Sequence, residues 1–355
     1  MPKRLIICCD GTWNKFDEQT PSNLRRLTQL IKPSASDGTV QSIRYQEGIG
    51  TRWYDKLPGG AFGAGIDQKI QDVYQFLCLN YEPGDEIYLF GYSRGAYTVR
   101  SLGGLIDCIG LLTPNNTGKI AAAYKIYRIP QADQRQAAAA DFQATHQTHA
   151  RVPIALLGCW DTVGALGIPD LIPNLPIDYW VNKPYRFHDT NLSPLIQHAL
   201  HATALDEQHK VFALTPMQVP AGSPTQLRQM WFPGDHARVG LSFSRGLADL
   251  TLDWLIRSID DFDLGLEFDR SKVNALRPNA LDATIPDLYA QRKRLSISFL
   301  TLPGLQVREI AAAPNPANRL QAFHPGVTER WCQDPNYRPK SLLDQGWRSM
   351  FNDAC

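Results

Sequence analysis

Apolar and polar positions along this chain follow two periods, and stretches of each period alternate. Residues 4–9 are an apolar run ending in Cys8-Cys9 and read as a buried strand. Residues 23–31 keep helical spacing after the start signal Pro21-Ser22, and residues 40–45 alternate as a strand. Residues 59–65 are glycine-rich and read as a loop. Residues 67–80 set Ile70, Val73, Tyr74 and Leu77 on one helical face. After the turn Glu82-Pro83-Gly84-Asp85, the run Ile87-Tyr88-Leu89-Phe90 predicts a strand, and Ala96, Val99, Leu102 and Leu105 return to helical spacing. A strand over 152–159, a helix over 195–205, short strands over 211–214 and 229–232, and a helix over 247–259 follow. Beyond Asp260 the pattern becomes irregular. This alternation predicts an α/β fold: a mostly parallel sheet with helices on both faces. One domain over residues 1–355 is expected, with inserted helical or loop caps at about 111–151 and 167–191. The second insertion carries Leu171, Ile172, Leu175, Ile177, Tyr179 and Trp180, a set suited to acyl chains or to packing the loop onto the body.

The strand over 87–90 runs into Gly91-Tyr92-Ser93-Arg94-Gly95 and then the helix. Three fixed residues of this kind recur by chance in about one chain in ten of this length. The strand before and the helix after carry the signal. A sharp strand-to-helix turn of this form lifts a serine hydroxyl above the carboxyl end of a sheet, at a helix N-terminus, as in α/β-hydrolases. Small residues two before and two after the serine let strand and helix approach.

Composition narrows the partners. The net charge is +1 with no long charge run, which argues against nucleic acid. No apolar run reaches the length of a membrane span. The apolar N-terminus continues into Asp10 without a small-residue cleavage site, so it reads as a strand and the protein as cytoplasmic. Of seven cysteines, Cys8, Cys9, Cys78, Cys108 and Cys159 lie in apolar runs, where free thiols pack as small hydrophobes; this favours a reducing compartment. The sequon Asn115-Asn116-Thr117 has no secretory signal beside it. The glycine loop lacks the Gly-Lys-Ser/Thr ending of a phosphate loop, and no Cys or His spacing suits zinc. Neither cofactor nor metal is expected.

A serine nucleophile needs a base and an acid that orients it. Asp161 follows the strand that ends at Trp160, and His236 follows a short strand through Pro233-Gly234. The order Ser93, Asp161, His236 suits this fold type. An N-cap role at Asp161-Thr162 is the plainer alternative for the aspartate, and a surface loop for the histidine. Asp206, Asp235 and Asp249 are further acids. Backbone N–H groups of Arg94 and of Gly11 or Thr12 are the candidate oxyanion donors; a simple Asx turn is the alternative at Asp10-Gly11. Asp10, Tyr92 and His201 are candidates for substrate contact or support, His201 being placed on the 195–205 helix.

Taken together, Cys9-Asp10-Gly11-Thr12-Trp13-Asn14, Gly48-Ile49-Gly50-Thr51, Gly91-Tyr92-Ser93-Arg94-Gly95-Ala96, Cys159-Trp160-Asp161-Thr162-Val163-Gly164, His201 with Leu205-Asp206-Glu207, and Trp231-Phe232-Pro233-Gly234-Asp235-His236 resemble the α/β-hydrolase family known as domain of unknown function 2235. Phe323-His324-Pro325-Gly326 through Trp331, with Tyr337-Arg338-Pro339, extends the resemblance to about residue 340. That family includes phospholipase effectors delivered by bacterial type VI secretion. The resemblance implies a Ser-Asp-His esterase acting on lipid acyl esters, with transient contact at a membrane surface and export by a specialised secretion system open to it. One departure stands out: the family's Ser-Asp-Val-Gly-Gly-Gly after the histidine is here Ala237-Arg238-Val239-Gly240-Leu241-Ser242. Arg238 becomes a candidate contact for an anionic substrate group. The competing readings are a small-molecule esterase, thioesterase or peptidase, and a non-catalytic binding protein on the same fold.

Overall fold

In this computed structural model the residues described are 2–11, 20–48, 61–164, 191–288, 304–310 and 321–355. Along the chain the strands are β1 (Lys3–Cys9), β2 (Val40–Gln46), β3 (Glu86–Tyr92), β4 (Leu111–Leu112), β5 (Thr148–His149), β6 (Ile154–Trp160), β7 (Ile196–Ala204) and β8 (Gln226–Phe232). Among the described residues, one six-stranded sheet has the order β2-β1-β3-β6-β7-β8, and every neighbouring pair in it is parallel. All its strands therefore end on one edge, where chemistry in such sheets is built. β4 and β5 form a separate antiparallel pair.

Both faces of the sheet are covered, which is why its strands read as near-continuous apolar runs. Leu5, Ile7 and Cys9 of β1 pack with α2 (Ala61–Asn80) and α3 (Arg94–Ile109). Ile6 and Cys8 face the other way, into a core shared with α1 (Asn23–Leu30). The 111–151 insertion holds α4 (Ile120–Tyr127) and α5 (Ala132–Thr145), closed off by the β4–β5 pair. Its Ala123, Tyr124, Ala139 and Phe142 join the α2–α3 side of the core. The Tyr124 hydroxyl donates to Asp67 at 2.6 Å, fixing the insertion alongside α2 and α3. The 167–191 insertion lies outside the described residues apart from Asn191.

After β8 come α6 (His236–Gly240) and α7 (Arg245–Asp261), which adds Leu252, Leu255 and Ile256 to the α1 side of the core. The irregular region beyond holds α8 (Arg270–Val273), α9 (Pro325–Gln333), α10 (Lys340–Asp344) and α11 (Arg348–Asp353). A third apolar cluster forms there: Phe323, Val327, Trp331, Trp347 and Phe351 pack on Leu205 and Trp231 at the ends of β7 and β8. A disulfide joins Cys332 to Cys355, with Cα atoms 5.4 Å apart; the five cysteines of the apolar runs are free. The reading of a reducing compartment did not anticipate this cystine.

Three expectations are corrected. Residues 195–205 are not a helix but strand β7, paired with β6 and β8. Ile196, Ala199, Leu200 and Ala204 mimic helical spacing because the strand is buried on both faces, where alternation disappears. The glycine-rich loop over 59–65 is helical from Ala61 onward. A glycine costs about 1 kcal/mol in a helix, and the burial of Ile66, Ile70, Val73 and Leu77 outweighs it. Residues 211–214 are not a strand: Lys210–Phe212 form a single 3-10 turn, and Leu214 makes one isolated bridge to Val163. No described helix is long and apolar enough to cross a membrane.

Candidate active site

Ser93 stands between β3 and α3 with φ 57° and ψ −122°. This sparsely populated conformation costs on the order of 1–3 kcal/mol. Two glycines make it attainable. A Cβ on Gly91 would lie 2.5 Å from Ala96 Cα, and one on Gly95 would lie 1.9 Å from the Cys9 carbonyl oxygen. The helix start is thus pressed onto the end of β1. The Ser93 N–H donates to the Trp160 carbonyl at 3.0 Å, tying the turn to β6.

Asp161 follows β6 directly and also has a positive φ, 42°, which aspartate tolerates better than most residues. Its N–H donates to Ala202 O at 2.8 Å. His236 opens α6 beyond β8, with Asp235 as N-cap accepting from the Arg238 N–H at 2.9 Å. The structure brings Ser93, Asp161 and His236 together. His236 Nδ1 lies 2.6 Å from Asp161 Oδ2, and His236 Nε2 lies 2.9 Å from Ser93 Oγ. With an ionised Asp161, Nδ1 carries the proton and donates it, which leaves Nε2 to accept the serine hydroxyl. Ser93 is 3 % exposed and His236 5 %.

One further side chain, Arg308, completes the site. Its guanidinium grips Asp161 at both oxygens, Nη1 to Oδ1 at 2.5 Å and Nη2 to Oδ2 at 2.8 Å, the latter also the oxygen that His236 Nδ1 meets. Burial alone would raise the Asp161 carboxyl; Arg308 and His236 reverse that and hold it well below the usual carboxylate range. An arginine in Leu305-Gln306-Val307-Arg308 belongs to no motif, and it lies in the region beyond Asp260 where the apolar pattern is irregular.

A ring of further groups fixes the imidazole. Glu207 Oε2 accepts the His236 N–H at 3.0 Å, while Oε1 accepts from the N–H and Nδ1 of His209 at 2.6 and 2.7 Å. Burial pushes Glu207 up, and the His209 hydrogen bonds bring it below its ordinary value. Asp206 accepts from Gly234 N–H at 2.7 Å and from the Tyr337 hydroxyl at 3.0 Å, so it braces the loop ahead of His236. Burial pushes the Asp206 carboxyl up to about 7. Tyr92 donates its hydroxyl to His236 O at 3.0 Å.

The remaining candidates are placed as follows. Arg94 is the first residue of α3 and directly follows Ser93. The Gly11 N–H donates to Asp10 Oδ1 at 2.7 Å, an Asx-type arrangement that a short carboxylate makes with its own neighbour. Asp10 Oδ2 accepts from Ser22 and from the Tyr45 hydroxyl, the latter at 2.6 Å. Thr12 lies outside the described residues. His201 sits on β7, not a helix, and supports rather than reacts. Its Nε2 accepts the Thr162 N–H at 3.1 Å and its Nδ1 is 2.8 Å from Gln229 Oε1. Burial, aided by Arg100, lowers it to about 3, so it stays neutral. Arg238 forms an ion pair with Asp235 in the cap of its own helix, with its guanidinium 5.6 Å from the Phe243 ring. Asp249 is buried against Arg26 and the Arg277 N–H, away from His236. Among the described residues no cluster suits a metal ion.

Residues 3–258 match the catalytic domain of Tle1-like phospholipase effectors of the type VI secretion system. An uncharacterised Saccharomyces cerevisiae protein, YEL023C, is 30% identical over 240 residues, 61% of this chain and 33% of its own length. The chain thus spans a third of that relative. An uncharacterised protein from Pseudomonas aeruginosa aligns with 17% identity and a TM-score of 0.45, over 82% of this chain and 48% of that one. The Tle1 effector bound to the VgrG spike aligns with 18% identity and a TM-score of 0.37, over 68% and 51%.

Proposed function

The chain belongs to the family of Tle1-like phospholipase effector catalytic domains, and from that premise we propose that it is a serine hydrolase of carboxylic esters, lipid acyl esters first among them. The observation that carries the reading is the imidazole of His236 held within hydrogen-bond reach of both Ser93 and Asp161. His236 Nε2 takes the Ser93 proton as Oγ attacks the ester carbonyl. The same proton passes to the leaving alcohol, and Asp161 balances the transient imidazolium. Water then enters by the reverse path and frees the acid. The Arg94 N–H, at the start of α3, serves the developing oxyanion. With the Gly11 N–H engaged by Asp10, Thr12 is left as the second donor of the turn after β1.

In this reading the apolar set of residues 167–191 receives the acyl chain. Delivery through a type VI machine belongs to the same proposal, since the family takes its description from such effectors.

The second reading is a non-catalytic binding protein on the same fold. Intact-mass labelling with a fluorophosphonate separates the two. One adduct on wild type, absent from Ser93→Ala, is expected; a folded wild type that takes no label sinks the hydrolase. Esters of rising acyl length, below and above their aggregation concentration, then distinguish a lipase from a short-chain esterase.

A further inference from the structure

The family match ends at residue 258, yet a residue fifty positions further on touches the acid of the proposed site. Arg308 makes four hydrogen bonds through its two terminal nitrogens. Two go to the Asp161 oxygens, one to Ala204 O at 3.1 Å and one to Phe212 O at 2.7 Å. Each acceptor matters to His236. Ala204 ends β7 and donates its own N–H to Asp161 Oδ1 at 2.8 Å. Phe212 stacks its ring on the His236 imidazole. Asp161 thus accepts from His236, Ala204 and twice from Arg308, which fills the roughly four acceptor positions of a carboxylate. The backbone around Arg308 is clamped in turn. Gln345 donates to Arg308 O at 2.7 Å and accepts from Ile310 N–H at 2.8 Å.

We propose that Arg308 is a positioning residue: it fixes the Asp161 carboxylate on His236 Nδ1, in the orientation from which the imidazole activates Ser93. The inference rests on the hydrolase reading above. A planar fork bonded at both oxygens allows one carboxylate orientation, where a single donor would leave it free to rotate. Arg308 also keeps Asp161 anionic across the working pH range. The charged or titratable groups facing Asp161 are His236 from α6, Arg308 from the C-terminal segment, His201 from β7 and Tyr92 from β3. Burial keeps His201 and Tyr92 neutral, and Glu207 with its partner His209 lies on the backbone side of His236, so Arg308 is the cation that opposes the burial of the Asp161 carboxylate.

The test compares wild type, Ser93→Ala, Arg308→Ala and Arg308→Lys by the second-order rate of fluorophosphonate labelling, from about pH 4 to about pH 9. Arg308→Ala is expected to label on the order of 10²-fold more slowly at neutral pH, as when a supporting partner of a catalytic group is lost. Its acid limb should move to higher pH, because the carboxyl loses the cation that holds it down. Millimolar guanidinium should restore part of the rate, and an equal concentration of sodium chloride should not. A cavity of about 980 Å³, lined by Arg308 with Leu214, Trp231 and Gln345, gives the ion a way in. Arg308→Lys, with the charge but not the fork, should fall between. If Arg308→Ala does not melt cooperatively, the lysine variant decides. A folded variant that labels within about threefold of wild type with an unmoved acid limb overturns the proposal. A wild type that takes no label removes the hydrolase reading itself, and this inference with it.

Discussion

Phe212 lies face to face with the His236 imidazole, ring centroids 4.5 Å apart and planes 11° from parallel. Tyr92 also stacks on it, at 5.1 Å and 23°. Both contacts fix the plane in which Nδ1 and Nε2 point at Asp161 and Ser93. Phe212→Ala frees one of them without touching a proton-transfer atom. The expected result is a kcat lowered about tenfold with KM little changed, because the loss is one of orientation rather than of binding. A steady-state comparison checks it, and a change confined to KM would assign Phe212 to the substrate instead.

The strained turn at Ser93 makes a second expectation. Ser93→Ala keeps a Cβ at φ 57°, whereas Ser93→Gly removes it. Relief of the strain, less the greater chain entropy of glycine, should leave the glycine variant more stable by about 0.5–1 kcal/mol. Both should be inactive. A glycine variant less stable than the alanine one by about 0.5–1 kcal/mol, the cost of its extra chain entropy alone, would mean that the turn carries no strain.

Two glycines of α3 should respond in opposite ways. A Cβ on Gly95 would sit 1.9 Å from the Cys9 carbonyl oxygen, a backbone atom with nowhere to go. Gly95→Ala should therefore lose several kcal/mol or fail to fold, as overpacking against backbone does. A Cβ on Gly103 would meet only the tips of Ile196 and Ile154, at 3.5 and 3.7 Å. Gly103→Ala should gain about 0.5–1 kcal/mol from helix propensity. Thermal melts of the pair decide it; a stable Gly95→Ala would deny the close approach of α3 to β1.

Much of this was legible in the sequence. The strand-to-helix turn at Ser93 carries local chemistry, since glycine spacing and flanking periodicity are written within a dozen residues. Asp161 and His236 follow strands, and a parallel sheet sends every strand end to the same edge. What the sequence hid is non-local or doubly buried. β7 looks helical because burial on both faces erases the alternation that marks a strand. The engagement of the Gly11 N–H depends on where the Asp10 carboxylate turns, which spacing does not set. Arg308 reaches Asp161 across 147 positions, and only the packing of the C-terminal cluster brings the two together.

Asp206 gives the stability a pH dependence of definite sign. Burial raises its carboxyl to about 7 from an ordinary 3.8, so the folded protein holds a proton that the unfolded chain releases. That contribution is whole below about pH 4 and is lost as pH rises through about 7. His201 and His324 act oppositely. Burial lowers them to about 3 and about 4 from 6.5, so their contribution grows as pH rises toward 6.5 and then levels off. Above 6.5, of these three groups only Asp206 still changes the balance. Asp206→Asn retains an oxygen to accept from Gly234 and Tyr337 but has no charge to bury. The variant should melt several degrees higher than wild type near pH 8, with the gap closing toward pH 5. Calorimetry across that range tests the assignment. A variant that melts lower than wild type near pH 8 would show that the ionised carboxylate, not its protonated form, braces the loop ahead of His236.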